Sequence, residues 1–384
     1  MLLALGLAPS CASPHAPVPS GHVKIATQSP LSLAQAALGE ALMLSARLAV
    51  EDGRGALARQ RLVVELVSFD DRATATVGVA DARRIVADPA ILAVVGPLSS
   101  DVALPVSEVY REAGLAMVSP SSTHPWLTDR RLPNVFRVCG RDDVQADVAA
   151  RFIEQSLGAT SVYVVDDATT YGRGNAEAFR AAATRRRLRI AGAAAATEED
   201  VRSVVDQIKA TAPDVLYFAG SYEVGAPLLV AGRRAGLRAR FVGADGIDSS
   251  ELVRLAGSAA EGVYYTSVAG PVGVHPQAKG FANDYRRKFG KAPEPFAAQA
   301  YDATAVVLEA ISRAATHGVP PSRQAVTAAI RDVRYMGVSG PIAFDGRGDL
   351  RRALYLVMKV SARQPDEWDD NRELKRFGLA PPAR

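Results

Sequence analysis

"ILAVVGPLSSDVALPVSEVYREAGLAMVSPSST", Ile91 to Thr123, decides the fold. A short continuous apolar run stops at Gly96-Pro97. Two serines, Ser99 and Ser100, open "SSDVALPVSEVYREAG", which reads as a helix closed by Gly114. A second apolar run, "LAMV", then meets Ser119, Ser121, Ser122 and Thr123. Short apolar runs bounded by turn residues read as buried strands, so the stretch is strand, helix, strand. Parallel strands need such a crossover helix. The hydroxyl-rich residues fall at the carboxyl ends of both strands, where open α/β sheets hold ligands.

The alternation continues both ways. Upstream, "HVKIATQSP" reads as a strand. The helix after it places Leu38, Leu42, Ser45, Leu48 and Ala49 on one face. "LVVELVSFDD" reads as a strand and "TATVGVADARRIVADP" as a helix stopped by Pro89. Downstream of "NVFRVCG" the pattern restarts. "SVYVVDD", "IAGAAAA", "DVLYFAG", "RFVGADG" and "GVYYTSV" read as strands, the first four separated by helices. Two α/β units with parallel sheets follow from this pattern. A chain of 384 residues suits two domains rather than one core. Further helices, a turn at "FDGRGD" with both glycines expected at positive φ, and a strand "RALYLVMKV" complete the reading. The charged, Pro-containing stretch from Ser361 is expected to fray.

Composition narrows the function. Hydrophobic residues are 48%, charged residues 22% and the formal net charge +4, a globular mix with scattered basic residues. The run "TRRRLR" (Thr184 to Arg189) reads as a solvated helix end, and no basic cluster with interleaved aromatics suggests nucleic acid. The two cysteines, Cys11 and Cys139, are poorly placed to pair. "MLLALGLAPSCASPHAPVPSG" resembles the end of a secretory signal with Cys11 as a candidate lipidation site, although a basic start is missing and Ala8-Pro9-Ser10 is not the usual preceding run. The expected location is therefore periplasmic or extracellular, with Cys11 as the candidate membrane anchor. No later segment approaches ~20 continuous apolar residues.

Signatures of catalysis are absent: no HExxH, GxSxG, P-loop or CxxC. "YGRGNAEAF" lacks dinucleotide-loop spacing and reads as a tight turn. Asp70-Asp71 and Asp166-Asp167 end strands and read as caps for the next helix, with metal or acid–base chemistry as the alternative. His124 reads as a solvent-exposed loop residue. The polar residues at strand ends form two groups: Ser99, Ser100 and Ser121 to Thr123 in the first unit; Asp167, Tyr171, Tyr222 and Asp245 in the second. If the units face each other across a cleft, a donor-rich wall opposes a wall with an acid and tyrosines. That pairing suits a zwitterion, its carboxylate at a helix N-terminus and its ammonium on Asp245.

Taken in order, "VKIATQSPLS", the opening stretch, "NVFRVCGRDD", "VYVVDDATTYGRG", "VGADGIDSSELVRLAGSAAEGVYYTS", "FAAQAYDAT" and "GPIAFDGRGDL" resemble the branched-chain amino acid (Leu/Ile/Val) substrate-binding proteins of ABC transporters, which are type I periplasmic binding proteins. The resemblance covers about His22 to Val360. It implies two doubly wound parallel-sheet α/β lobes joined by a three-segment hinge and closing on an amino acid. The implied division is a leader and tether over 1–21, one lobe from 22–140 with 271–341, the other from 141–270 with 342–365, and a tail over 366–384. Ser100 matches the serine that holds the ligand carboxylate, Ser121 a residue that binds through its backbone, and Thr123 the threonine that contacts both charged ends. Tyr171 matches an aromatic wall, and Asp245 stands where many members have Glu as the ammonium partner. Phe296 falls near the side-chain pocket, and Leu38 stands where some members carry an aromatic. In "AGSYEVGAP", Ser221 takes the usual tyrosine's place and Tyr222 the next, so Tyr222 is the weakest of these assignments. The disulfide of some members has no counterpart.

The implied activity is capture of an amino acid, branched-chain or otherwise apolar, and its delivery to the permease and ATPase of an ABC transporter. No enzyme activity, cofactor or nucleic acid is implied. The alternative is a sensing protein of the same fold that binds amides or other small organic acids.

Overall fold

The computed structural model of the chain describes residues 21–316 and 318–383. Nine elements build the first α/β unit: β1 (Gly21–Ser29), α1 (Ala36–Arg59), β2 (Leu62–Asp70), α2 (Ala75–Ala87), β3 (Ile91–Val95), α3 (Ser100–Glu112), β4 (Ala116–Ser119), α4 (Trp126–Asp129) and β5 (Val135–Arg137). Its five strands run parallel in the order β2-β1-β3-β4-β5. All five residues of β3 are buried, as expected for an interior parallel strand covered on both faces. Gly96, just after β3, has φ +123°, and a Cβ there would stand 2.1 Å from the Gln28 carbonyl oxygen. Only glycine lets β3 turn this close to β1.

The second unit runs through α5 (Asp142–Gln155), β6 (Ser161–Asp166), α6 (Thr170–Arg185), β7 (Arg189–Ala195), α7 (Val201–Thr211), β8 (Val215–Ala219), α8 (Tyr222–Arg234), β9 (Arg240–Gly243), α9 (Glu251–Ala256) and β10 (Tyr264–Ser267). The chain then returns to the first unit with α10 (Lys279–Phe289), α11 (Ala297–Ala314) and α12 (Arg323–Arg331), where α11 packs on α1 and α12 on β3 and β4. A two-stranded ribbon, β11 (Arg334–Met336) and β12 (Pro341–Ala343), leads back out. Finally β13 (Ala353–Lys359) and β14 (Arg372–Leu379) join the second sheet, whose order is β14-β13-β10-β9-β8-β6-β7. The chain thus crosses between the sheets three times, and both sheets are doubly wound. The second has an antiparallel margin, because β13 and β14 pair antiparallel.

Two expectations are corrected. The C-terminal stretch does not fray: β14 pairs along β13, and Trp368 stacks on Tyr265 while its Nε1–H donates to Asp248 at 3.0 Å. Burying that ring secures the tail despite its charge. In "FDGRGD", Gly348 alone has positive φ, +93°, where a Cβ would meet the Val135 carbonyl oxygen at 2.0 Å; Gly346 meets nothing within 4 Å. Cys139 is buried and free, two residues past β5. Cys11 lies outside the described residues. Among those described, no helix is long and apolar enough to cross a membrane.

The crossovers are tied by buried charge. Arg137, at the end of β5 and fully buried, donates from Nε to Asp349 Oδ1 at 2.6 Å. Arg141 reaches the other oxygen of Asp349 at 2.8 Å and also bonds Asp129 and Asp143. The Thr128 hydroxyl donates to Asp349 Oδ1 at 2.9 Å. Burial alone would raise the Asp349 carboxyl, but the two guanidiniums outweigh it and hold the group below the usual carboxylate range. A depressed folded pKa contributes stability above the unfolded value, and that stability is lost as pH falls through the folded one. Asp349→Ala leaves two guanidiniums buried without this partner. It should cost about 3–5 kcal/mol at neutral pH, measured by urea unfolding, and the variant should show a shallower acid limb than the wild type.

Candidate functional site

The site is built where both sheets reverse their winding. In the first sheet the reversal lies between β1 and β3, in the second between β6 and β8. Loops leaving the carboxyl ends of such neighbours diverge and leave a crevice. A cavity of about 90 Å³ lies there, with space for several waters or one small molecule. Ser100, Ser121, Thr123, Tyr171, Asp245, Tyr222, Leu38 and Phe296 all line it.

On the first wall, Ser99 caps α3, its Oγ accepting from the Val102 N–H at 3.4 Å. Ser100 begins the helix, so its side chain sits beside unsatisfied N–H groups with a partial positive charge. The "SPSST" loop is knitted to the turn after β3. Ser119 Oγ donates to the Pro97 carbonyl at 3.0 Å, and Ser121 Oγ donates to the Leu98 carbonyl at 2.8 Å. The Ser121 hydroxyl proton is thereby occupied, so Ser121 can offer a guest only acceptors, its hydroxyl oxygen and its backbone carbonyl. Arg137 fixes the same loop from behind, donating to the carbonyls of Ser122 at 3.0 Å and His124 at 3.1 Å. His124 is only part-exposed, and burial lowers its pKa, so it is not the fully solvated side chain expected.

On the second wall, Tyr171 stands in the first turn of α6. Its hydroxyl donates to Asp245 Oδ1 at 2.7 Å and accepts from the Gly246 N–H at 2.9 Å. Asp245 is 4% exposed and makes no ion pair among the described residues. Behind it lies Asp142, fully buried at the start of α5. Asp142 Oδ1 accepts from Asn175 at 2.9 Å, and its Oδ2 has no hydrogen-bond partner among the described residues. Burial pushes the Asp142 carboxyl up, and the Asp245 charge pushes it further. Burial also raises Asp245, against the Tyr171 hydrogen bond. Two carboxyl groups thus share a dry corner that calls for a positive charge or a proton. "GRDD" was visible in the sequence, but nothing local shows that Asp142 faces Asp245.

Leu38, Leu98 and Phe296 supply apolar surface. Tyr222 does the same with its ring, while its hydroxyl donates across the cleft to the Ala34 carbonyl at 2.8 Å. Further contacts join the lobes: Gln35 donates to Glu223 at 3.1 Å, Asp101 accepts from the Thr170 N–H at 2.7 Å, and Glu294 accepts from the Ser250 N–H at 3.1 Å. The structure is therefore in a closed form. Gln35, Asp101 and Glu223 escaped the sequence reading; the one available signal was Asp101 in the first turn of α3.

The strand-end acids do not cap helices directly. Asp70 accepts from the Leu31 N–H and Ser32 Oγ, and Asp71 from the Ala73 N–H. Asp167 accepts from the Thr169 and Ser221 N–H groups, tying two loops together, while Thr169 itself caps α6. Among the described residues no cluster of His, Cys, Asp and Glu could hold a metal ion.

Asp142 has a consequence for pH. Its folded pKa is raised to about 8, above the 3.8 of an ordinary carboxyl. Its contribution to stability is fully present below the unfolded pKa and is lost as pH rises toward 8, with a slope of at most about 1.4 kcal/mol per pH unit. Comparing urea unfolding of unliganded wild type and Asp142→Asn at pH 5 and pH 8 should show the variant gaining on the wild type as pH rises. A constant difference between the two proteins would refute this.

Similarity to known proteins agrees with this architecture. A family model described as periplasmic binding protein matches residues 22–364. A Leu/Ile/Val-binding protein of Rhizobium johnstonii is 32% identical over 352 residues, 90% of this chain and 94% of the relative. An amino acid binding protein of Pseudomonas aeruginosa is 34% identical over 352 residues, 91% of this chain and 90% of the relative. Among solved structures, the leucine binding protein LivK of Thermotoga maritima superposes with a TM-score of 0.83 at 28% identity, covering 92% of this chain and 98% of that one. With the family match spanning most of its length, this protein belongs to the periplasmic binding protein family.

Proposed function

We propose that the protein captures an α-amino acid with an apolar, branched side chain between its lobes, outside the cytoplasm, and presents it to an ABC permease with its ATPase. One observation carries the reading: a single cavity pairs the N-terminus of α3 with a buried carboxylate across the cleft that makes no ion pair among the described residues. The names of the relatives supply the substrate class. In this reading the ligand carboxylate meets Ser100 and the N–H groups of α3. Thr123 and the Ser121 carbonyl bind the polar end, and the ammonium lies against Asp245, oriented by Tyr171. The ammonium also supplies positive charge directly against Asp245 in the Asp142–Asp245 corner. Leu38, Leu98, Phe296 and the Tyr222 ring receive the side chain. Contacts from both walls favour the closed form by differential affinity. Cys11 serves as a lipid anchor that keeps the receptor at the membrane.

The test is a thermal-shift and calorimetric screen of the chain from about Ser20 against amino acids, amides and organic acids. Leu, Ile or Val at ~100 times the dissociation constant should add roughly 2.7 kcal/mol of stability. Asp245→Ala should weaken binding by about 2–5 kcal/mol, roughly thirtyfold to several thousandfold. Shifts only with acids or amides lacking an ammonium, or an Asp245→Ala variant that binds like wild type, would overturn the reading.

A further inference from the structure

A second cavity, about 260 Å³, touches all three crossovers and shares no lining residue with the amino-acid site. Val138 of the first crossover, Val268 of the second, and Leu350 with Leu354 beside the third give it apolar walls. Gln299, on the first turn of α11, is 3% exposed, and its side-chain amide makes no hydrogen bond among the described residues. Arg352 lines the same space at an exposed position and has no ion pair or hydrogen bond among the described residues. No carboxylate lines the cavity. His275 lines it too. Burial lowers its pKa, and its Nε2–H donates to the Ala269 carbonyl at 2.8 Å.

Gln299 and the unpaired Arg352 guanidinium border a space that Arg376, Gln277 and Ser339 line as well, beside its apolar walls; Arg376 is paired with Glu373, so Arg352 and Gln299 are the groups left to make half of a recognition site. The missing half is an anion that accepts hydrogen bonds and carries an apolar body. We infer that this cavity is a second ligand site for a small monocarboxylate with a short aliphatic tail, and that its occupancy is coupled to closure on the amino acid.

Two structural links carry the coupling. Phe296, the residue before α11, lines the amino-acid cavity, and Gln299, in the first turn of that helix, lines this one. Cys139 lines the second cavity, and its thiol bonds the Ser122 carbonyl in the loop that presents Ser121 and Thr123. The walls come from segments that must rearrange when the lobes separate, and the cavity has this shape with the cleft closed. A ligand complementary to it therefore favours closure and tightens amino-acid binding, and the amino acid tightens the carboxylate by the same factor. The coupling rests on the proposed amino-acid binding; the site itself does not.

The probe is sodium hexanoate, compared with sodium chloride at equal ionic strength. Thermal shifts are read for wild type saturated with leucine, which fills the first cavity, and for unliganded protein. Hexanoate should raise the melting temperature of wild type, less so of Gln299→Leu, and not at all of Arg352→Met. Saturating hexanoate should tighten leucine binding at least about fivefold in calorimetry. No hexanoate shift, or a shift unchanged in Arg352→Met, would overturn the site. A shift that depends on Arg352 with leucine affinity unaltered would overturn the coupling. If leucine fails to bind at all, a hexanoate shift of unliganded protein lost in Arg352→Met but kept in Ser100→Ala still supports the site, so the two readings fail separately.

Discussion

Everything in this molecule hangs on three charges buried where its lobes meet. Arg137 and Arg141 share the carboxylate of Asp349, more than two hundred residues further along the chain. Taking these ions from water is costly, and their attraction offsets that cost only because nearly every donor and acceptor is used. Arg137 gives its remaining N–H groups to the carbonyls of Ser122 and His124 and to the Thr128 hydroxyl. One guanidinium thereby locks the third crossover to the first sheet and sets the position of the hydroxyl loop in the cleft. The shape of the site is downstream of that contact: move Arg137, and Ser121 and Thr123 lose their backing.

The cleft follows a second electrostatic rule. One wall offers a helix N-terminus, and the other offers two buried carboxyl groups that make no ion pair among the described residues. A neutral guest would leave both walls unsatisfied, and a simple anion would satisfy one at the expense of the other. Buried polar groups without partners are costly, so the empty site is selective through what it lacks. Asp142 sharpens this by placing a second titratable carboxyl behind Asp245, one that an added positive charge would help to ionise.

The sequence made the fold legible because its signals were local. The apolar runs around Ile91–Val95 and Ala116–Ser119 are strands, and the serines following each one sit in the cleft. Strand ends converge by topology, so a pattern of strands also points to the site. What stayed hidden was long-range or governed by burial. Nothing near Trp368 announces that it will dock beside Asp248 and hold an antiparallel strand to the second sheet. Nothing in "GRDD" distinguishes Asp142, sealed beside Asn175, from Asp143, which pairs with Arg141. Gln35 and Glu223 meet across 188 positions of sequence, and only the closed cleft relates them.

Hydrogen bonds between protein groups alone join the lobes, among them Tyr222 to Ala34, Gln35 to Glu223, Thr170 to Asp101 and Ser250 to Glu294. In a receptor that is read by its closed shape, such bonds set a noise floor. Each one raises the share of empty molecules that pass for loaded ones, by a factor that compounds with the next. The exposed Asp101 contact, at the N-terminus of α6, adds charge to that background and makes it sensitive to salt. The fidelity of the signal is therefore written in side chains that need never touch the cargo.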